Sequence, residues 1–199
     1  MNLNDFCCKD DYRDYLREPF SIGDRTIATD GSVLISVPRC TDNEAIGSFK
    51  DAIKRLLNEL QDQEFMPLPD VSMPDQSDCP GCKGTGHAKR TECPECEGEG
   101  EAIAETDHNE YEVLCKTCKG DGFVLSSVGD ENEQCENCGG TGKIYDRYSH
   151  VKVNGVAVQP KYLSLIKDEP GINVSTGDEK RYLYFRAGYQ EGIIMGIHA

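Results

Sequence analysis

Tryptophan is absent, and the 6 phenylalanines and 9 tyrosines are few for 199 residues. Any core must therefore be assembled mainly from aliphatic side chains. Nowhere is there a run of ~18 consecutive apolar residues, so no membrane-spanning helix is expected. The opening residues, MNLNDFCCKDDYRDYLREPF, lack a basic start followed by an apolar stretch. No secretory leader is read there, and a soluble, cytoplasmic protein is the expectation. Positive charge is also scarce: 21 Lys and Arg face 36 Asp and Glu, for a net charge of −15. Such a surface repels phosphates unless its cations are gathered into one patch, so nucleic acid is not an expected partner. The sequence has no Walker-type phosphate loop, no G-x-S-x-G and no zinc-hydrolase helix motif, so an enzyme is not expected.

Cysteine is what the chain has in quantity. Of its eleven cysteines, eight form four Cys-x-x-Cys knuckles: Cys79/Cys82, Cys93/Cys96, Cys115/Cys118 and Cys135/Cys138. Each opens a longer repeat, C-x-x-C-x-G-x-G, seen as CPGCKGTG, CPECEGEG, CKTCKGDG and CENCGGTG. A C-x-x-C turn points two thiolates at one ion, and two such turns close a tetrahedral shell that suits Zn²⁺. Eight cysteines thus predict two zinc ions per chain. A redox or disulfide cluster is the alternative, but closed Cys₄ shells leave no position open for catalysis. Glycines just past the second ligand are expected to turn backbone N–H groups toward sulfur, which needs positive φ. Residues 79–142 hold few apolar side chains, so zinc must supply much of their folding free energy.

On either side the composition changes. FSIGDRTIATDGSVLISVP reads as strands around turns at Gly23-Asp24 and Asp30-Gly31. TDNEAIGSFKDAIKRLLNELQDQEF predicts an amphipathic helix over about 43–64, opened by a capping box at Thr41 and Glu44. Its apolar stripe is Ile46, Phe49, Ile53, Leu56, Leu57 and Leu60. Residues 66–78, with three prolines, read as a linker. After Gly142, strand-like segments such as RYLYFRAGYQEGIIMGI resume. Neither flank alone carries enough apolar residues for a core. The expectation is an α+β fold: a split domain of residues 1–78 and 143–199, with a β-hairpin-rich two-zinc module, 79–142, inserted into it.

The four intact repeats resemble the cysteine-rich zinc module of DnaJ-type co-chaperones over about a third of the chain. The resemblance implies that the first knuckle pairs with the fourth and the second with the third. One ion would take Cys79, Cys82, Cys135 and Cys138, and the other Cys93, Cys96, Cys115 and Cys118. It also implies stacked hairpin arms in a V. The connector SSVGDENEQ before Cys135 is long and acidic, and the sequence has no His-Pro-Asp tripeptide and no J-domain. Recruitment of the seventy-kilodalton heat-shock chaperone is therefore not expected.

A weaker resemblance lies in the flanks. TIATDGSVLISVP and YLYFRAGYQEGIIMGI are similar to the opening and closing strands of one repeat of a bacterial DNA sliding clamp, with the helix and VAVQPKYLSLI in compatible order. On the helix, Lys50, Lys54, Asn58 and Gln61 would form the strip that faces DNA in a clamp, although Asp51, Glu59 and Asp62 nearby suit a solvated face.

Taken together these readings predict a non-enzymatic, zinc-binding adaptor that holds a protein partner, in a chaperone-like manner, through Phe123, Val124 and Leu125. A clamp-like or DNA-mimicking protein of replication or phage–host interaction is one alternative, and a thiol-disulfide isomerase another. His87, His108, His150 and His198 are scattered and suggest no site. Cys7, Cys8 and Cys40 read as small hydrophobes.

Overall fold

The computed structural model describes the chain apart from residues 9–12, 45–46, 48, 127–132, 178–180 and 198–199. The chain divides into two compact units, Met1–Pro74 with Arg147–Ala199, and Asp75–Asp146. It is mixed α and β with mostly antiparallel strands.

In chain order, β1 (Phe20–Ile22), β2 (Arg25–Thr29) and β3 (Val33–Pro38) come first, then helix α1 (Phe49–Gln61) and the short strand β4 (Met66–Pro67). Six strands follow: β5 (Gln76–Asp78), β6 (Lys89–Glu92), β7 (Glu101–Glu105), β8 (Glu110–Leu114), β9 (Phe123–Ser126) and β10 (Lys143–Tyr145). The chain continues with β11 (Val151–Val153), β12 (Val156–Val158), the five-residue helix α2 (Pro160–Ser164), β13 (Asn173–Ser175), β14 (Tyr182–Ala187) and β15 (Gln190–Met195). No helix among the described residues is long and apolar enough to cross a membrane.

The first unit is built on a seven-stranded sheet in the order β1-β2-β3-β15-β14-β13-β4. The central strands are covered on both faces, which is why VLISV in β3 reads as an unbroken apolar run instead of an alternating one. Val33, Ile35 and Val37 face a large core with Leu183, Phe185, Ile194 and the valines of the β11–β12 hairpin. Leu34 faces the opposite way, against Ile27, Phe20 and Ile53 of α1. Leu60, near the C-terminal end of α1, packs on Tyr184 and Ile193. The turns between β1, β2 and β3 fall at Gly23 and Gly31, both at positive φ. Asp30 accepts the N–H groups of Ser32 and Val33 and the Tyr162 hydroxyl, the last at 2.7 Å.

Two expectations need correction. The helix begins at Phe49, not near 43, because the capping-box residues are engaged elsewhere. Glu44 bridges Ser21 in parallel and takes an ion pair from Arg39 at 2.6 Å, while the Thr41 carbonyl accepts the Ser21 hydroxyl. Ile46, assigned to the apolar stripe, lies outside the described residues. Residues 66–78 are not a free linker either: Met66 and Pro67 pair with β13, and Leu68, Val71 and Met73 pack against the large core. Pro67 is tolerated because β4 is the edge of the sheet, where a missing N–H breaks no ladder.

In the second unit, β7 pairs with β8, β6 with β9 and β5 with β10, so the hairpins are nested. The unit reaches one strand beyond the outer knuckles at each end, because β5 and β10 close it, aided by an ion pair of 2.7 Å between Lys143 and Asp78.

Candidate metal centres

The nesting of hairpins decides which knuckles meet. In an antiparallel ribbon the first segment lies opposite the last. The repeat at 79–86 follows β5 and the one at 135–142 precedes β10; the other two lie on either side of the β7–β8 hairpin. The structure accordingly gathers Cys79, Cys82, Cys135 and Cys138 in one group and Cys93, Cys96, Cys115 and Cys118 in another. Within each group the four sulfurs lie within 4.8 Å of one another.

The geometry fits zinc. With Zn–S bonds of about 2.3 Å, the edge of a regular tetrahedron is about 3.8 Å. The S···S separations are 3.9 Å for Cys79–Cys135, 3.7 Å for Cys82–Cys138, 3.8 Å for Cys93–Cys115 and 3.7 Å for Cys96–Cys118. They are far beyond a disulfide bond, and all eight cysteines are free thiols. Two such groups are compatible with two zinc ions per chain.

Backbone N–H groups point at the sulfurs as soft positive charge. Gly86 and Gly142 donate to Cys82 and Cys138, each at 3.2 Å, in the first group. Gly100 and Gly122 donate to Cys96 and Cys118, at 3.2 and 3.3 Å, in the second. Asn137 adds a side-chain donor to Cys79 at 3.3 Å, a contact no motif pointed to. Burial opposes charge on Cys82, yet the donors around it, Gly86 first, draw its thiol down to about 6. Burial pushes its neighbour Cys135 up to about 12. In the other group the Cys118 N–H leads in lowering Cys115 to about 7, whereas burial pushes Cys96 up to about 11. Thiols this close cannot all ionise unaided; a dication among them stabilises four thiolates together.

The repeat's glycines have a second reason, which the sequence did not reveal. A Cβ on Gly86 would meet the carbonyl oxygen of Gly140 at 2.3 Å, and one on Gly142 would meet that of Gly84 at 2.3 Å. Gly100 and Gly122 stand in the same relation to Gly120 and Gly98. Each final glycine thus touches the partner repeat, and its own carbonyl accepts the N–H of the partner's first cysteine: the Cys135 N–H donates to Gly86 and the Cys79 N–H to Gly142, both at 2.8 Å. The residue directly after the second ligand does have positive φ, but it is Lys83, Glu97 and Lys119 in three repeats and glycine, Gly139, only in the fourth.

Of the apolar residues expected to meet a partner, Phe123 is exposed, at 39%, whereas Val124 and Leu125 are half-buried. Leu125 packs against the Cys79 group and Val124 against the Cys93 group, so β9 wedges one side chain against each centre. Arg90 lies 4.5 Å over the Phe123 ring. Further exposed apolar side chains of this unit lie on β7 and β8: Ile103 at 69%, Leu114 at 65%, Tyr111 at 51% and Val113 at 44%.

The remaining candidates lie apart from the metal groups. Cys7 is a half-buried core neighbour whose thiol burial pushes up to about 11, and Cys8 is half-buried while Cys40 is exposed. His108 and His150 are exposed, His87 is half-buried, and His198 lies outside the described residues. Lys54, Asn58 and Gln61 do line a cleft of about 800 Å³ with Arg25 and Arg186. There Glu191 accepts Arg25 at 2.9 Å, Arg186 at 3.1 Å and Gln61 at 3.1 Å, so one carboxylate is shared by the two arginines and offsets part of their charge. Compared with known proteins, the chain matches no family model, no curated protein and no solved structure.

Proposed function

We propose that the chain is a non-enzymatic zinc-binding adaptor, in which a module resembling that of DnaJ-type chaperones holds a protein partner. The observation that carries this reading is the pair of closed four-cysteine groups supporting a hairpin whose apolar side chains stand in solvent. Four thiolates saturate a tetrahedral ion and leave no site for substrate or water, so the metal serves folding and display. That argument also speaks against thiol-disulfide exchange, since zinc-bound sulfurs are withdrawn from nucleophilic attack. The test is to immobilise the zinc-loaded chain, recover what binds from native lysate and identify it. A defined protein partner whose capture disappears in the Cys79→Ser/Cys93→Ser variant is the expected result. Turnover of a scrambled, disulfide-bonded substrate by the zinc-loaded chain would replace this reading with the isomerase.

A further inference from the structure

The hairpin of β7 and β8 has two unlike faces. In an antiparallel pair, residues directly opposite share a face. The pairs Ala102–Val113 and Ala104–Tyr111 form one face, wholly apolar. The pairs Glu101–Leu114, Ile103–Glu112 and Glu105–Glu110 form the other, dominated by carboxylates. All ten residues are exposed, and among the described residues neither outer edge pairs with another strand. An isolated two-stranded ribbon is marginal in water, so a third strand along either edge would stabilise it.

Resting on the adaptor reading, we propose that this hairpin binds a protein segment in extended conformation, added as a third strand, with apolar and basic side chains in alternation. A strand laid on an edge continues both faces. Its apolar residues fall beside Val113 and Tyr111, or beside the alanines, while its intervening residues fall on the glutamate face, where Lys or Arg is matched. Charge decides against a second copy of the chain as occupant: residues 101–114 carry five carboxylates and no Lys or Arg, so two hairpins would repel. Edge N–H and C=O groups supply affinity, and the alternation supplies specificity.

The experiment uses the full zinc-loaded chain and a labelled synthetic peptide of about nine residues alternating Val with Lys. A second peptide has the same composition with its Val and Lys in separate blocks, and a third carries Glu in place of Lys. Binding is read by fluorescence anisotropy across a salt series. The alternating peptide should bind about tenfold or more tighter than the blocked one, and the Glu peptide should not bind. Tyr111→Ser with Val113→Ser should lose about tenfold in affinity while zinc content stays at two per chain. Equal binding of the alternating and blocked peptides would reveal mere charge attraction and overturn the proposal. So would concentration-dependent self-association abolished by the same substitutions, which would make a second copy the occupant. Lysate capture undiminished in the hairpin variant would also overturn it while leaving the adaptor reading standing; no zinc-dependent capture by the unaltered chain would remove the adaptor reading itself.

Discussion

A single methyl group probes the metal centres at their tightest point. Gly86→Ala would drive a Cβ into the Gly140 carbonyl and force an L-residue to φ +80, so it should cost at least about 2 kcal/mol of site stability. Gly122→Ala should do the same at the other centre, against Gly98. Chelator competition should show early release of one ion in each variant, a different one in each case; loss of both ions together would contradict the separate placement. Lys83→Gly should act in the opposite direction, because Lys83 already sits at φ +53, where a side chain costs roughly 1 kcal/mol. In the first unit, Tyr162 and Asp30 give a second residue-level test. Tyr162→Phe removes the 2.7 Å hydrogen bond to Asp30 and should lower stability by about 1–3 kcal/mol. Burial chiefly, with Asp30 adding, raises the Tyr162 hydroxyl above its ordinary value. A raised folded value means that the contribution is intact below the unfolded value, about 10, and is lost as pH climbs through the folded one. The wild-type melting temperature should therefore fall at alkaline pH more steeply than that of Tyr162→Phe.

At the scale of elements, β9 is the strand whose role alternates most sharply. Val124→Ser should weaken the Cys93 centre and Leu125→Ser the Cys79 centre, each by roughly 1–2 kcal/mol, since each packs against one group. Stepwise zinc release, followed by a metallochromic dye, distinguishes them. The sequence displayed Phe123-Val124-Leu125 as an apolar cluster but could not show which way each side chain points. Strand alternation splits the cluster between two centres, and the ladder that fixes this comes from β6, more than thirty residues earlier. The eight cysteines were legible because their spacing is local chemistry. Strands β1 to β3 were legible because Gly23, Asp30 and Gly31 punctuate them locally. The start of α1 was not, since Glu44 obeys a capping pattern yet is claimed by Ser21 and Arg39. The linker was misread for a related reason: Pro67 signals a break until the pairing with Asn173 makes it an edge strand. Along α1, the fully buried Leu60 anchors the helix to Tyr184 and Ile193. Leu60→Ala should cost about 2–5 kcal/mol in urea unfolding of that unit and leave zinc content unchanged.

For the whole molecule, the two units should depend on different sources of stability. The unit of residues 1–74 and 147–199 has a two-sided core, whereas the buried apolar groups of residues 75–146 are mainly the cysteines and the few side chains against them. Chelation should thus unfold only the second, leaving a cooperative melt that is insensitive to the chelator. Acidification should act on the same unit first, because every ligand must surrender its proton to bind and protons compete with the ion as pH falls. Charge sets the last expectation. A chain at −15, with five Lys and Arg against fourteen Asp and Glu between residues 79 and 142, becomes more negative with each Zn(Cys)₄ centre, by roughly two charges. Duplex DNA binding rests on cations that displace condensed counterions from phosphates. The cations best gathered for that purpose, Arg25, Arg186 and Lys54, share their cleft with Glu191, which holds both arginines. The zinc-loaded protein should therefore leave duplex DNA unshifted in a mobility assay at physiological salt. Tight, salt-sensitive shifting abolished by Lys50→Glu with Lys54→Glu would show instead that α1 faces DNA, as the helix of a clamp does, and would move the function from the hairpins of the second unit to the helix of the first.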